Sequence, residues 1–562
     1  MNILGINYFY HDTSACVVKD GDLVVAVEQE RFSRDKHTWQ FPHTAIERAL
    51  KEAGMEPGDI TDVAVSIDPT KHWHRKVLYA PRLGLRMKPF VKHEGVRAWY
   101  RQREFKAWWD SFFGSGKGPR LHNVGHHLAH IAGSFYISGY DRAALLSIDG
   151  SGEWSTTWLG ETDGQSFRCL SESFFPNSLG SFYEAATEFC GFRPNYDEGK
   201  TMGLAPFGDH DRFKEEMGKL VSVDAKGRLN VDTSYFEYDN WGGKRCGAKY
   251  YELFGKPRGR YDEIEKYHED VAAAAQRVLE DRVLQMCSIL EKETTADYLV
   301  IAGGVALNSV MNGRILRETR FKDVYVMPAA GDNGTSIGAA YYVHNHVHKS
   351  PKRYHHDNPY VGTEYSNDHI EALIKECKLP YERSDDICVD TARILREGNI
   401  VGWFQGRMEI GPRALGNRSI LCDPTLPHMK DKINAEVKHR EAYRPFAPSA
   451  IAECAHEFFE IDVEAPFMLK VCQVKDDKKC KLPAITHVDG SARLQTVRKE
   501  TNPRYHRLIS EFGNLSGVPV VLNTSFNIMG EPIVESPIQA IRCFFSTGLD
   551  VLVLGDFIVR KS

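Results

Sequence analysis

What most constrains the fold of this chain is a pattern that occurs twice in its first half. Ile3 to Asn7 reads as a strand that enters a polar loop, Tyr8 to Ser14. A hairpin of Ala15 to Val18 and Leu23 to Glu28 follows, closed by Lys19-Asp20-Gly21-Asp22. Ala143 to Asp149 is a second such strand, passing through Asp149-Gly150-Ser151-Gly152 into Thr156 to Thr162, an Asp163-Gly164 turn and Ser166 to Leu170. Two strand–polar loop–hairpin units predict an internal duplication within an α/β half-chain; the competing reading is two unrelated hairpins. Phe41 to Ala53 predicts a helix entered through Pro42, Asp62 to Ile67 a strand, and His268 to Glu291 a long scaffold helix.

Such a duplication, each copy with a sharp strand-to-hairpin turn, resembles the actin-like ATPase (ASKHA) fold, in which the two turns face each other across a nucleotide cleft. Tyr298 to Ala302 reads as a buried strand running through Gly303-Gly304 into a helix. Glycines there let backbone amides approach a nucleotide, although close packing also requires glycine. Gly199 to Ala205 reads as a compact turn whose Lys200 can contact phosphate; it lacks Walker A spacing and is no P-loop.

Gly125-His126-His127-Leu128-Ala129-His130, read as a helix, puts His126 and His130 on one face a turn apart. Alone, such a pair reads more simply as buried or capping histidines. The strand ends at Asp149 and at Ala330-Gly331-Asp332-Asn333-Gly334 supply the carboxylates that favour a metal. Two imidazoles with two carboxylates suit Fe(II), Mn(II) or Zn(II) better than magnesium or calcium. Without thiolates, and with room for substrate, this is a working rather than a structural site. His127 should face away.

Between the two copies, residues 71–120 are dense in Lys and Arg, with Trp73, Trp99, Tyr100, Trp108 and Trp109 interspersed. Basic residues among aromatics can stack on nucleic acid or grip phosphate. They can equally be the solvated and core faces of inserted helices, which is the favoured reading, with the insert shaping an acceptor pocket. A net charge of -5 argues against bulk affinity for nucleic acid or anionic membrane. At 562 residues, two or three domains are expected. The 12 cysteines include no Cys-x-x-Cys, the N-terminus has no signal-peptide pattern, and no apolar run would span a bilayer. The cytosol is the expected location.

A polar, histidine-rich join, His344 to His356, reads as an exposed helix tail and linker, with a domain boundary near residue 355. Beyond it a strand, Ile400 to Phe404, opens into Gln405 to Ser419, where Arg407, Arg413 and Arg418 sit among three glycines. Guanidinium forks and bare amides can wrap an anion. Lys438, Arg440, Arg444, Arg493 and Arg504 extend the positive cluster, and the strand Val520 to Asn527 ends in hydroxyl and amide groups. Any one of these arginines could be a surface ion pair; so many beside glycine turns point to phosphate. Lys475 to Lys479 reads as a solvated loop.

Leu4-Gly5-Ile6-Asn7 with His11 to Ala15, Glu30 to His37, His126 to His130, Gly199 to Ala205 and Ala302 to Asn308 together resemble the NodU/CmcH family of O-carbamoyltransferases. The likeness runs over nearly the whole chain. It implies an α/β protein with a duplicated ASKHA, threonylcarbamoyl-transferase-like domain over 1–354 and an α/β YrdC-like domain over 355–562. By position, His126, His130, Asp149 and Asp332 would hold the metal, Fe(II) or another divalent ion. Gly180, Gly304 and Asn308 would lie along the nucleotide, and Lys36 and His37 near a carbamoyl adenylate. Arg413, Lys438, Arg444, Arg493, Asn523 and Ser525 would hold carbamoyl phosphate and the adenylate made from it with ATP. His11 is a chemical candidate for deprotonating the hydroxyl of a small-molecule acceptor, a task for a base of near-neutral pKa.

The resemblance thus implies carbamoyl phosphate and ATP reacting at the second domain, then transfer at the metal-bearing first. The rivals are an ASKHA phosphotransferase, which leaves the arginine-rich half unexplained, and a tRNA-modifying threonylcarbamoyl-type enzyme using the basic insert. A homodimer is the base-rate expectation.

Overall fold

The computed structural model describes residues 1–114, 116, 118–240, 243–355, 357–441 and 443–561. Ser115 and Lys117 of the basic insert, and His356 at the end of the histidine-rich join, lie outside the described residues. The chain divides into two compact units, one of residues 1–24 and 39–355, the other of residues 25–38 and 356–562. The segment Val25–Thr38, and with it Lys36 and His37, therefore counts with the second unit and not with the rest of the first 354 residues.

In the first unit the strands are β1 (Asn2–Asn7), β2 (Ser14–Lys19), β3 (Asp22–Glu28), β4 (Asp62–Val65), β5 (Arg120–Asn123), β6 (Ala143–Gly152), β7 (Ser155–Thr162), β8 (Phe167–Phe174), β9 (Val221–Val223), β10 (Leu229–Val231), β11 (Tyr298–Ala302) and β12 (Asp323–Val326). One sheet has the order β3-β2-β1-β4-β5, another β8-β7-β6-β11-β12. Position by position they are the same sheet. In each, the central strand pairs antiparallel with the next strand of its hairpin. On its other side it pairs parallel with a strand that itself has a parallel neighbour. This is the duplication the sequence pattern predicts, in the form the actin-like ATPase resemblance implies. A central strand is buried on both faces, which is why β1 is apolar almost throughout.

Two helices, His126–Phe135 and Thr335–Tyr341, cross where neither carries a side chain. A Cβ on Gly338 would lie 1.7 Å from the Ala129 carbonyl oxygen, and one on Gly133 would lie 3.0 Å from the Gly338 Cα. The crossing seats the histidine-bearing helix against the turn that carries Asp332.

The basic insert is helical, with helices Trp73–Tyr79, Met87–Phe90 and Arg97–Phe113. Phe105 and Trp108 are its core face: Phe105 stacks on Tyr8 at 4.8 Å and Trp108 lies 5.4 Å from Phe41. Trp73, Trp99 and Tyr100 stay exposed.

Two expectations need correction. Gly199 to Ala205 is not a turn but lies on a helix, Glu198–Leu204, because Thr201 and Leu204 find a buried face and Thr201 Oγ1 donates to Thr187 Oγ1 at 2.9 Å. His344 is not on an exposed tail. It is buried at 2% exposure in a wide helical turn, Tyr342–Val347, while Asn345 Nδ2 donates to the Lys352 carbonyl at 2.7 Å and pins the join.

The second unit contains β13 (Glu382–Arg383), β14 (Val401–Phe404), β15 (Arg418–Cys422), β16 (Ala447–Ile451), β17 (Phe459–Glu460), β18 (Val471–Val474), β19 (Ser491–Arg493), β20 (Gln495–Val497), β21 (Val520–Ser525), β22 (Val551–Leu554) and β23 (Phe557–Arg560). Its main sheet has the order β13-β23-β22-β14-β15-β21-β16-β20, beside a small sheet β17-β18-β19. Helices Ile387–Arg396 and Pro503–Ser516 pack on one face around Trp403, Leu508 and Val521. Arg31 ties the early segment into this unit, donating to the Gly411 carbonyl at 2.7 Å and pairing with Glu28 and Glu30. Among the described residues no helix is long and apolar enough to cross a membrane.

Gly338→Ala is expected to destabilise the first unit by ~1–3 kcal/mol, since the clash is with backbone that cannot yield. Gly199→Ala, at an exposed helical position with nothing within 4 Å, should be neutral or stabilising by up to ~1 kcal/mol. Urea unfolding of both variants checks the pair.

Candidate metal centre and anion cradle

In the first unit, four side chains from three separate elements converge on one point. His126 and His130 come from one helix, Asp149 from β6 and Asp332 from a short helical turn ahead of Thr335–Tyr341. His126 Nε2 and His130 Nε2 lie 3.0 Å apart. Asp149 Oδ2 is 3.0 Å from the first and 3.1 Å from the second; Asp332 Oδ1 is 3.5 and 3.4 Å from them. All four are buried or nearly so. A divalent ion held at ~2.0–2.2 Å by nitrogen and oxygen donors needs neighbouring donors roughly 3.0–3.5 Å apart. The donor set and its spacing therefore fit one borderline divalent ion.

Electrostatics agree with a site made for positive charge. Burial alone would pull the His130 imidazolium down, but Asp149 and Asp332 outweigh it and push the group up to about 9. Burial likewise opposes ionisation of Asp149, yet His126 and His130 hold it well below the usual carboxylate range. His127 faces away, as its position on the helix predicts: its Nδ1 meets Ser147 Oγ at 2.8 Å, and burial beside His126 lowers it to about 3.

Glycines set the floor of the site. A Cβ on Gly180 would lie 2.9 Å from the Asp149 carbonyl oxygen, and Gly304 N donates to Asp149 Oδ1 at 3.3 Å. Gly180 and Gly304 thus meet at the same strand-end turn. Asn308 does not add a free group there. It caps the helix Ser309–Glu318 through Met311 N, and its amide pairs with Gln276 in both directions. His11 is close, with Nε2 3.8 Å from Asp332 Oδ2 and Nδ1 2.8 Å from Asp12 Oδ2. Burial opposes its charge, but facing Asp332 and Asp12 raises it to about 10 instead of near neutrality.

One residue beside the site carries no sequence signal at all. Gly152 pairs with Ser155, so Glu153 and Trp154 form the tip of a tight hairpin, both with positive φ, at 55° and 94°. Side chains rarely accept this geometry, which costs roughly 1–3 kcal/mol per residue. The result is that Glu153 Oε1 accepts from His126 N at 3.2 Å and from Asp68 N, at the N-terminus of the ligand helix.

The second unit holds a cluster of cations. Arg413, Arg440 and Arg493 lie together with Arg444, and each of the three is held below its ordinary value. Burial, then Arg413, Arg440 and Arg444, hold Arg493 well below its ordinary value. Burial and Arg444 bring Arg413 to about 10 and Arg440 to about 9. Arg413 Nε, Arg493 Nε and Arg440 Nη2 are buried and find no hydrogen-bond partner among the described residues. Lys438 is 4% exposed, donates to Asn527 Oδ1 at 2.7 Å, and feels the charges of Arg440, Arg444 and Lys36. Ser525 Oγ donates to the same Asn527 oxygen at 3.1 Å. Buried cations that repel each other and lack partners are costly unless an anion joins them.

The glycine-rich loop contributes less to this cradle than its arginine count predicts. Arg407 donates to the Val361 and Gly362 carbonyls. Arg418, fully buried and 3.7 Å over the Phe404 ring, spends its donors on Gln405, Gly406 and Asn417 carbonyls. Only Arg413 of the three joins the cluster. Asn523 sits behind it, donating to Ala414 O, Ser449 Oγ and Gln495 Oε1.

Comparison with known proteins gives matches over both halves. Residues 2–341 match the family described as Carbamoyltransferase N-terminus, and residues 392–561 that described as Carbamoyltransferase C-terminus. An uncharacterised protein of Synechocystis sp. is 39% identical, covering 100% of this chain and 97% of its own. Nodulation protein NolNO of Sinorhizobium fredii is 36% identical over 99% of this chain and 80% of its own. A 3'-hydroxymethylcephem-O-carbamoyltransferase of Streptomyces clavuligerus is 28% identical over 98% of both.

Inorganic pyrophosphate is expected to raise the melting temperature by relieving the repulsion among the arginines, worth ~2.7 kcal/mol at a hundredfold excess over Kd. Its affinity should fall as ionic strength rises, since the contact is one of opposite charges. Arg493→Met should melt no lower than wild type without anion, because it removes a buried repelled charge, and should not respond to pyrophosphate. Calorimetry and melting curves read both effects.

Proposed function

The chain belongs to the carbamoyltransferase family and is a transferase, and from that premise we propose that it carbamoylates a hydroxyl in two ATP-dependent stages. The observation that carries this reading is the convergence of His126, His130, Asp149 and Asp332 in one unit of a chain whose other unit holds a cationic cluster in which buried nitrogens of Arg413, Arg440 and Arg493 find no partner among the described residues. Neither a phosphotransferase nor a metal-independent transferase has use for both.

In the second, YrdC-like unit, Arg413, Arg444 and Arg493 would take the phosphate of carbamoyl phosphate and then the triphosphate of ATP. Bidentate guanidiniums suit both. Lys438, oriented by Asn527 and next to Lys36, would stabilise charge that builds as carbamate attacks the α-phosphorus and pyrophosphate leaves. Ser525 and His37 would position the resulting carbamoyl adenylate, and Asn523 would act behind them by fixing Ser449 and Gln495.

In the first unit, the backbone at Gly180 and Gly304, packed against Asp149, would lie along the nucleotide. His126, His130, Asp149 and Asp332 would hold a divalent ion, Fe(II) among the candidates, that when bound polarises the carbamoyl carbonyl. His11, beside Asp332, would take the proton of the attacking hydroxyl once a bound divalent ion offsets the Asp332 charge that otherwise keeps the imidazole protonated, a role worth roughly 10²–10⁴ in rate. With no membrane-crossing helix among the described residues and the composition read above, the reaction is assigned to the cytosol.

His130→Ala should lose bound metal and acceptor carbamoylation while retaining ATP–pyrophosphate exchange driven by carbamoyl phosphate. Arg444→Ala should lose the exchange, and with it carbamoylation, by about a hundredfold, the scale of losing a charge-assisted contact at a transition state. Retention of exchange in both variants would overturn the assignment of stages.

A further inference from the structure

The first unit contains a cavity of about 430 Å³ between the insert and the strand ends, within the ~300–1,000 Å³ of small-molecule sites. Its walls are apolar, built from Phe9, Trp73, Val77, Met87, Phe90 and Val91. Its inner end is Glu153, the same carboxylate that caps the helix bearing His126. Phe9 is followed by Tyr10, whose ring meets the edge of His126 at 4.8 Å. One end of the cavity therefore abuts the metal ligands. The other opens to solvent through apolar side chains: Trp73 is 60% exposed, Val77 58% and Val91 48%.

Lys71 and Lys76 stand against Asp68, Glu94 and Glu153 in the lining, one carboxylate in excess. Lys76 pairs with Glu94 at 2.7 Å, and Lys71 lies by Glu153, both within contact distance of a Cβ placed on Gly125. No cluster of carboxylates waits for a polycation. The hydroxyls of a sugar pressed against these walls would lose water without gaining partners, at a cost of roughly 1–3 kcal/mol each. An apolar body gains by the same contact, and the exposed aromatic and aliphatic mouth extends that gain.

We propose that this cavity is the acceptor site and that its substrate is an alcohol carried on an apolar body, its hydroxyl at the Glu153 end. The inference rests on the carbamoyl-transfer reading above and names the acceptor class for it. In the transfer, the acceptor oxygen bonds the carbamoyl carbon. AMP leaves with the electron pair of the broken carbon–oxygen bond, and the hydroxyl proton passes to His11. Glu153 is a positioning residue here: bonded to His126 N and Asp68 N, it fixes the end of the cavity relative to the ligand helix.

The test uses full-length protein loaded with Fe(II), with ATP, radiolabelled carbamoyl phosphate and a series of linear primary alcohols from butanol to decanol; sorbitol and kanamycin are the polar comparators. KM is expected to fall about three- to fourfold per methylene until the cavity is filled, with kcat changing little. Val77→Asp, at an exposed position, and Ala98→Trp, which fills the cavity, should each flatten that dependence. Equal or better use of sorbitol or kanamycin, persistence of the dependence in both variants, or no alcohol turnover while carbamoyl-phosphate-driven exchange runs would overturn the acceptor assignment. Absence of that exchange in the wild type would instead bring down the two-stage reading, and the acceptor assignment with it.

Discussion

Around Asp149 the backbone of several elements approaches more closely than any side chain would permit. Gly180 meets its carbonyl. Gly303, at φ 91°, would place a Cβ 2.2 Å from the Ile148 carbonyl oxygen, and Gly152 would place one 2.0 Å from the His126 ring. The doubled sheet supplies the scaffold, but these bare positions let a strand end, two helices and a hairpin share one point. The convergence of donors in the first unit depends on that closeness.

The second unit works from the opposite constraint. There the loop after β14 is folded by a buried acid: Glu409 accepts from the backbone N–H groups of Leu415, Asn417 and Arg418. With Glu409 occupied by backbone, the side chains of Arg413, Arg440, Arg444 and Arg493 face one another with little to neutralise them. The sheet tolerates this because its core, around Trp403, Phe512 and Val521, is built independently of the cluster. Stability is given up locally where these like charges meet.

Much of this was legible in the residues. The strand-to-hairpin pattern at Ile3 and Ala143 carried the duplication, because alternation and turn chemistry are local. Spacing of four on a helix carried His126 and His130, and strand ends carried Asp149 and Asp332. What was not legible depends on long-range contact. Arg407, Arg413 and Arg418 look alike in the loop, yet only one joins the cluster, since the others are claimed by carbonyls distant in sequence. Asn308 has the composition of a ligand contact but is spent on Gln276. Glu153 is followed by Trp and belongs to no motif; only the left-handed backbone at the hairpin tip marks it. The segment Val25–Thr38 is chemically a continuation of β3, and nothing in it announces that Arg31 and Arg34 are anchored on carbonyls near residues 411 and 533.

The hairpin tip has one more implication. Its two residues point to different tasks: Glu153 toward the histidine helix, Trp154 into a small aromatic cluster with Tyr79, Phe90 and Phe175. The first part of the insert is thereby held through one indole, and its last helix through Phe105 and Trp108 on Tyr8 and Phe41. An inserted segment of different length or sequence that kept those sockets would leave the hairpin in place, and with it Glu153 against the helix bearing His126.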